Sequence, residues 1–169
     1  MLHLVSEIRS YTLNQLDLLE NDSVFEVFNT EIAWELGQYG RKRCIKEFPR
    51  RNIVVDIALV GGHTLFHTAI GNDTNYDNDQ WIKRKSNTVF RFGRSSFYMG
   101  QKLRIKNMSI EEALFVSPNE FATHGGSIPI KVASCSSLIG AFTISGLAQE
   151  EDHLLALDIV QTFLKSKVI

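Results

Sequence analysis

The sequence predicts an α+β fold, with helices laid on an antiparallel sheet built from two hairpins. Three observations carry this. Two β-rich runs meet at Gly61-Gly62, two more meet across a short polar connection at 134–137, and amphipathic stretches precede, separate and follow them. A half-buried sheet and an amphipathic helix each have an apolar face to cover, and covering one with the other is the economical arrangement.

The elements follow in chain order. Leu4, Ile8, Leu13, Leu16 and Leu19 recur at helical spacing and predict a short helix within residues 3–19. A second helix is expected to start near Asp22 or Ser23 and to carry Val24, Phe28, Ile32, Leu36 and Tyr39, with Val27 and Trp34 widening the stripe. Pro49 ends it by forcing Phe48 out of helical geometry. Ile53 to Val60 is an apolar, β-branched run interrupted only by Asp56 and Ala58, and HTLFHTAI resumes after the glycines, which predicts a hairpin.

The stretch DTNYDNDQWIKRKSNTVFRFGRSSFYMG, from Asp73 to Gly100, reads as an acidic loop feeding one long helix closed by Gly100. Trp81, Ile82, Thr88, Val89, Phe92 and Met99 fall on its core side, and Lys83, Arg84, Asn87, Arg91, Arg94 and Tyr98 on the other. Lys85 and Phe90 break the pattern, as they would if another segment or subunit covered part of the polar face. Ser109 and Glu112 have the spacing of a capping box. SIPIKVAS and LIGAFTIS predict the second hairpin, ended by Gly146, and residues 149–165 the last helix, with Glu150, Glu151 and Asp152 in its first turn.

A chain of 169 residues with ordinary apolar content is expected to form one domain over 1–169, with N-terminal helices at 1–48 and the core at 53–168. A net charge of −1 gives no bulk attraction for nucleic acid. No apolar window is long enough for a membrane span and the start is unlike a signal peptide, so a cytoplasmic location is expected. Near-neutral charge with Phe90 and Tyr98 on a polar helix face predicts a closed homo-oligomer. Cys44 and Cys135 form neither a CxxC pair nor a disulfide framework.

Most chemical motifs fail. His63 and His67 have the spacing of a zinc helix but lie in a predicted strand, about 13 Å apart, too far to share a metal. Asp73, Asn75 and Asp77 open like a calcium loop, yet Asn78 and Arg84 stand where its glycine and glutamate belong. His124-Gly125-Gly126 matches an esterase oxyanion loop, but no GxSxG elbow accompanies it. Neither a phosphate loop nor a dinucleotide fingerprint is present. No metal is expected.

Three features remain. Arg84, Arg91 and Arg94 stand on one face of the predicted central helix and could hold a carboxylate or phosphate, or form a solvated stripe. His124 precedes two glycines that permit close backbone approach to a ligand, or make an ordinary turn. His153 lies one turn from Glu150, so imidazole and carboxylate could meet near a helix start. In the site reading, Arg91, His124, Asp152 and His153 converge on one pocket, with His124, His153 and Asp152 as candidate catalytic groups.

The blocks DNDQWIKRK, RFGRSSFYMG, HGGSIPI and TISGLAQEEDH occur in an order and spacing that resembles the family of small proteins labelled haem-degrading-domain-containing, related to GlcG and HbpS. The resemblance runs from Asp56 to about Leu157, and RFGRSSFYMG and GLAQEEDH look most similar to fungal members. It implies a profilin-like sandwich, a homo-oligomer, and haem as a possible ligand. The family pattern falls on Trp81, Arg84, Lys85, Arg91, Ser95, Ser96, His124, Gly125, Gly126, Ser145, Gly146, Asp152 and His153. No haem-regulatory dipeptide or axial methionine pair adds to it. Without an activated nucleophile or a complete acid and base pair, the sequence favours a non-catalytic binding role. The alternatives are an adaptor for another protein, such as a chaperone or targeting factor, and an enzyme working through His124 and His153.

Overall fold

The computed structural model describes residues 1–167. Two 3₁₀ turns, Leu2–Leu4 and Ile8–Ser10, lead into helix α1, Leu13–Glu20, which starts at a Thr12–Gln15 capping box. Strand β1 is only Val24–Phe25, and helix α2 spans Thr30–Glu47 behind an Asn29 cap. The expected helix start at Asp22 or Ser23 is therefore displaced. Val24 and Phe25 pair in parallel with Lys131 and Val132, and Asn29 accepts from Ile32 N at 2.9 Å, so both a ladder and a cap compete against an earlier start.

The remaining elements are β2, Ile53–Leu59; β3, Thr64–Ile70; α3, Tyr76–Phe92; α4, Ser96–Lys106; α5, Ile110–Leu114; β4, Ser127–Val132; β5, Leu138–Ser145; and α6, Gln149–Lys167. The sheet order is β1-β4-β5-β2-β3. Both predicted hairpins form and join through antiparallel β5 and β2, which makes the α+β sheet expected, with β1 added in parallel at one edge. One face carries α2 and α6, where Leu36, Leu155, Ile159 and Phe163 pack against Val55, Ile57, Phe142 and Ile144. Burying such side chains stabilises by about 1.5–3 kcal/mol each.

The single long helix expected over 77–99, closed by Gly100, is two helices. Gly93 takes φ 65°, a left-handed cap that donates to Val89 O, and Ser95 then caps α4 by accepting from Tyr98 N at 3.0 Å. Gly100 lies inside α4 rather than closing α3. Ile82, Thr88 and Val89 are buried as the stripe requires, and Trp81 and Phe92 are half-buried. Helix α3 packs on β5, β4 and β2, on the face opposite α2 and α6. It leaves the β2–β3 hairpin facing an open groove.

Candidate functional site

Two concave regions flank α3. The first lies where β5 ends and α6 begins. Gly146 leaves the strand at φ 142°, and Asp152, in the first turn of α6, turns back to accept from Gly146 N at 3.4 Å and Leu147 N at 3.1 Å. Lys85 of α3 completes this carboxylate at 2.9 Å and donates also to Ile144 O at 3.1 Å and Ser145 Oγ at 3.3 Å. Both charged groups are almost fully buried. Burial pushes Asp152 up to about 6, with Lys85 and the two backbone N–H groups pulling it down. Lys85 broke the helical pattern because its partner lies across the fold.

Of the two glycines after His124, Gly126 makes room for this pair and Gly125 for the start of α6. A Cβ on Gly126, at φ 124°, would come 2.2 Å from Ile144 O and 2.9 Å from Lys85 Nζ, and one on Gly125 would come 2.2 Å from Gln149 O. The close approach is by the protein's own chain. His124 itself is exposed, its ring edge against Trp81 at 4.8 Å, with the Arg84 guanidinium over the same indole at 4.5 Å. Desolvation, then Lys85 and Arg84, hold its pKa below the ordinary histidine value. The cleft in front measures about 320 Å³, and Lys85, His124, Ser145, Gly146 and Asp152 line it with Asp77.

His153 is not part of that cleft. It is wholly buried, stacked on Phe97 at 4.6 Å, and neither ring nitrogen has a hydrogen-bond partner. Burial depresses it to about 3, so it is neutral. The nearest carboxylate is Glu20 of α1, at 3.5 Å, which accepts from Ser95 Oγ at 2.6 Å and is pushed up to about 7 by burial. The expected orienting groups are engaged elsewhere: Glu150 with Arg9 at 2.5 Å, and Asp152 with Lys85. His124 and His153 therefore do not face each other across a pocket.

The three arginines also separate. Arg84 lies on Trp81 with its Nε buried and without a partner, and Arg94, beyond the break at Gly93, pairs with Asp17. Arg91 alone reaches the second concavity.

That second region is a groove of about 690 Å³ between the β2–β3 hairpin and α3. Asp56 of β2, buried, takes His67 Nδ1 at 2.9 Å, and Asp79 of α3 stands 3.3 Å from His67 Nε2. The hydrogen bond to Asp56 raises the His67 pKa, and Asp79 adds to it. Lys83, Phe90, Arg91 and Phe121 line the rest. Neither Lys83 nor Arg91 has a carboxylate within 4.0 Å among the described residues. In the sequence His67 stands out only as a failed zinc ligand, and Asp56 and Asp79 do not stand out as its partners. A partial signal existed: a two-residue turn at Gly61-Gly62 would set Val60 against His63 and hence Asp56 against His67, and the structure reaches that last pairing by another route, with Leu59 N donating to His63 O and a register shift between Ile57 and Ala58.

The model of a family described as haem degrading protein HbpS-like matches residues 28–161. The UPF0303 protein YBR137W of Saccharomyces cerevisiae is 40% identical over 155 residues, covering 92% of this chain and 86% of that one. A UPF0303 protein of Psychromonas ingrahamii is 37% identical over 156 residues, covering 92% and 95%. Among solved structures, that of Ybr137w superposes with a TM-score of 0.90 at 39% identity, covering 96% of this chain and 93% of its own. HbpS, at 14% identity and TM-score 0.62, covers 81% of this chain and 89% of its own, and shares the fold. A PduOC:heme complex, at 16% and 0.63, covers 84% and 96% and likewise shares the fold.

Proposed function

Because the chain belongs to the HbpS-like family, we propose that it is a non-catalytic binding protein that holds a small ligand in the groove between the β2–β3 hairpin and α3. One observation carries the reading. The buried cation and carboxylate of the α6 cleft, Lys85 and Asp152, satisfy one another and leave only the exposed Asp77 and His124 at its surface, whereas the groove presents two cations, Lys83 and Arg91, with no ion-pair partner among the described residues. A concavity of about 690 Å³ is within the range of small-molecule sites. His67 has both ring nitrogens held by carboxylates, so it is poorly placed to move a proton.

Haem is named by the family description and by one structural neighbour. The donor set here does not suit an iron-ligated porphyrin. His153 is sealed, both nitrogens of His67 are engaged, and the cleft before His124 is small and bordered by a buried ion pair. The buried thiol of Cys44 is pushed up to about 12 and gives no thiolate ligand near neutral pH. The enzyme reading through His124 and His153 loses its basis, since the two do not meet.

Assembly as a closed homo-oligomer belongs to the same proposal. Ile105, Met108 and Phe115 are 60%, 40% and 85% exposed within one short segment, and Phe115 has φ 55°. Exposed aromatic surface of this kind marks interfaces. The same segment supports a second reading, an adaptor for another protein. Light scattering separates a homo-oligomer from a monomer that awaits a different partner.

The test of the groove is retention. Thr64→Trp places an indole at its mouth from an exposed strand position. Wild type and Thr64→Trp are incubated with a metabolite extract, desalted and examined by mass spectrometry. A molecule retained unaltered by the wild type and not by the variant is expected. Equal retention by both, or retention of a converted product, would overturn the reading.

A further inference from the structure

The groove has a direction, and from it we infer the class of its ligand: an organic monocarboxylate with an apolar body, its carboxylate at Arg91 and its body extending toward His67. The inference rests on the groove being the ligand site and adds what that site selects. Asp79 and Arg91 lie on the same helix, about 18 Å apart at 1.5 Å per residue, so they mark two ends rather than one cluster.

At the hairpin end, two carboxylates close on one imidazole. Asp56 takes Nδ1 and Asp79 approaches Nε2, so even a charged His67 leaves this end with an excess of negative charge. An anion is repelled there. At the far end Arg91 stands over Phe121 at 5.7 Å and over Phe92 at 5.6 Å, and forms no ion pair among the described residues. Its planar guanidinium can take a carboxylate through two parallel N–H bonds. Lys83 lies between the ends and adds a second positive charge. Glu120 is the competing charge at the mouth, and it stands exposed to solvent. Between the poles, Ala58, Ile82, Phe90 and Phe121 supply apolar wall. A ligand charged at both ends would meet Asp79 with its second carboxylate, and one charged at neither would leave Arg91 unanswered.

Three probes test this by calorimetry at neutral pH: a biphenyl monocarboxylate, its primary amide and the biphenyl dicarboxylate. The monocarboxylate is expected to bind at least about tenfold more tightly than the amide, which is the scale of one charge-assisted hydrogen bond. Arg91→Gln should abolish that preference, and Asp79→Asn should raise affinity for the dicarboxylate while leaving the monocarboxylate little changed. Both positions are on the helix surface, and circular dichroism confirms that each variant folds. Equal binding of acid and amide, an unchanged preference in Arg91→Gln, or no binding of any probe to the wild type would overturn the inference. If a neutral or cationic molecule is nevertheless retained from the extract by the wild type and not by Thr64→Trp, the groove stands as the site and only the ligand class falls.

Discussion

The cleft at the start of α6 and the groove beside the β2–β3 hairpin share one helix as a wall and hold similar residue types, yet they use them differently. In the cleft, Lys85 and Asp152 meet at 2.9 Å with further hydrogen bonds to both, and Gly126 leaves the space they occupy. In the groove, His67 is held on both sides while Lys83 and Arg91 form no ion pair among the described residues. Clustered charge marks a binding site only where the charges are not already answered by the fold. The Lys85–Asp152 pair is architecture by this criterion, and the groove, with two unanswered cations, is the surface left for another molecule.

The largest expected effect breaks the cleft. Lys85→Ala strands a buried carboxylate and should cost about 3–5 kcal/mol in urea unfolding, whereas the double replacement Lys85→Met with Asp152→Leu should cost far less. A single replacement losing under about 1 kcal/mol would mean the pair is hydrated and reachable. Next, Gly126→Ala should destabilise by more than about 1 kcal/mol, because both φ 124° and the contact with Ile144 O oppose a Cβ.

A third prediction concerns pH. Glu20 is raised from 4.5 to about 7, so the folded state holds its proton more tightly; this contribution is full below 4.5 and lost as pH rises to about 7. His153 is depressed from 6.5 to about 3, so its contribution is full above 6.5 and lost as pH falls toward 3. Between 4.5 and 6.5 the two slopes oppose. Glu20→Gln should make stability rise more steeply with pH than in the wild type, and His153→Phe should tilt it the other way. Parallel curves for all three proteins would count against the buried arrangement of α1, α4 and α6. The smallest effect is the complement of the first: Arg91→Gln should change stability by less than about 0.5 kcal/mol. A larger loss would make Arg91 structural too.

Much of the sheet was legible because its signals are local. Gly61-Gly62 between β-branched runs and the polar link at 134–137 each specify a hairpin within a few residues. The break at Gly93 was not, since the amphipathic stripe runs through it and only the left-handed cap and the Ser95 hydrogen bond interrupt the helix. β1 escaped because two residues carry no periodicity, and their strand character comes from β4. The site was harder still. Lys85 was visible as an anomaly, but its partner Asp152 is distant in sequence and met only through tertiary packing. His124, Gly125, Gly126 and Asp152 do gather at one place, for reasons of packing, while His153 turns inward to Phe97 and Glu20. Arg94 left the group when the helix ended.

The most direct test of groove against cleft is backbone amide shift mapping with the biphenyl monocarboxylate. Shifts should concentrate on 64–67 and 79–91, with His124, Gly146 and Gln149 unmoved. Shifts gathered at His124, Gly146 and Gln149, with the hairpin silent, would contradict the groove as the site.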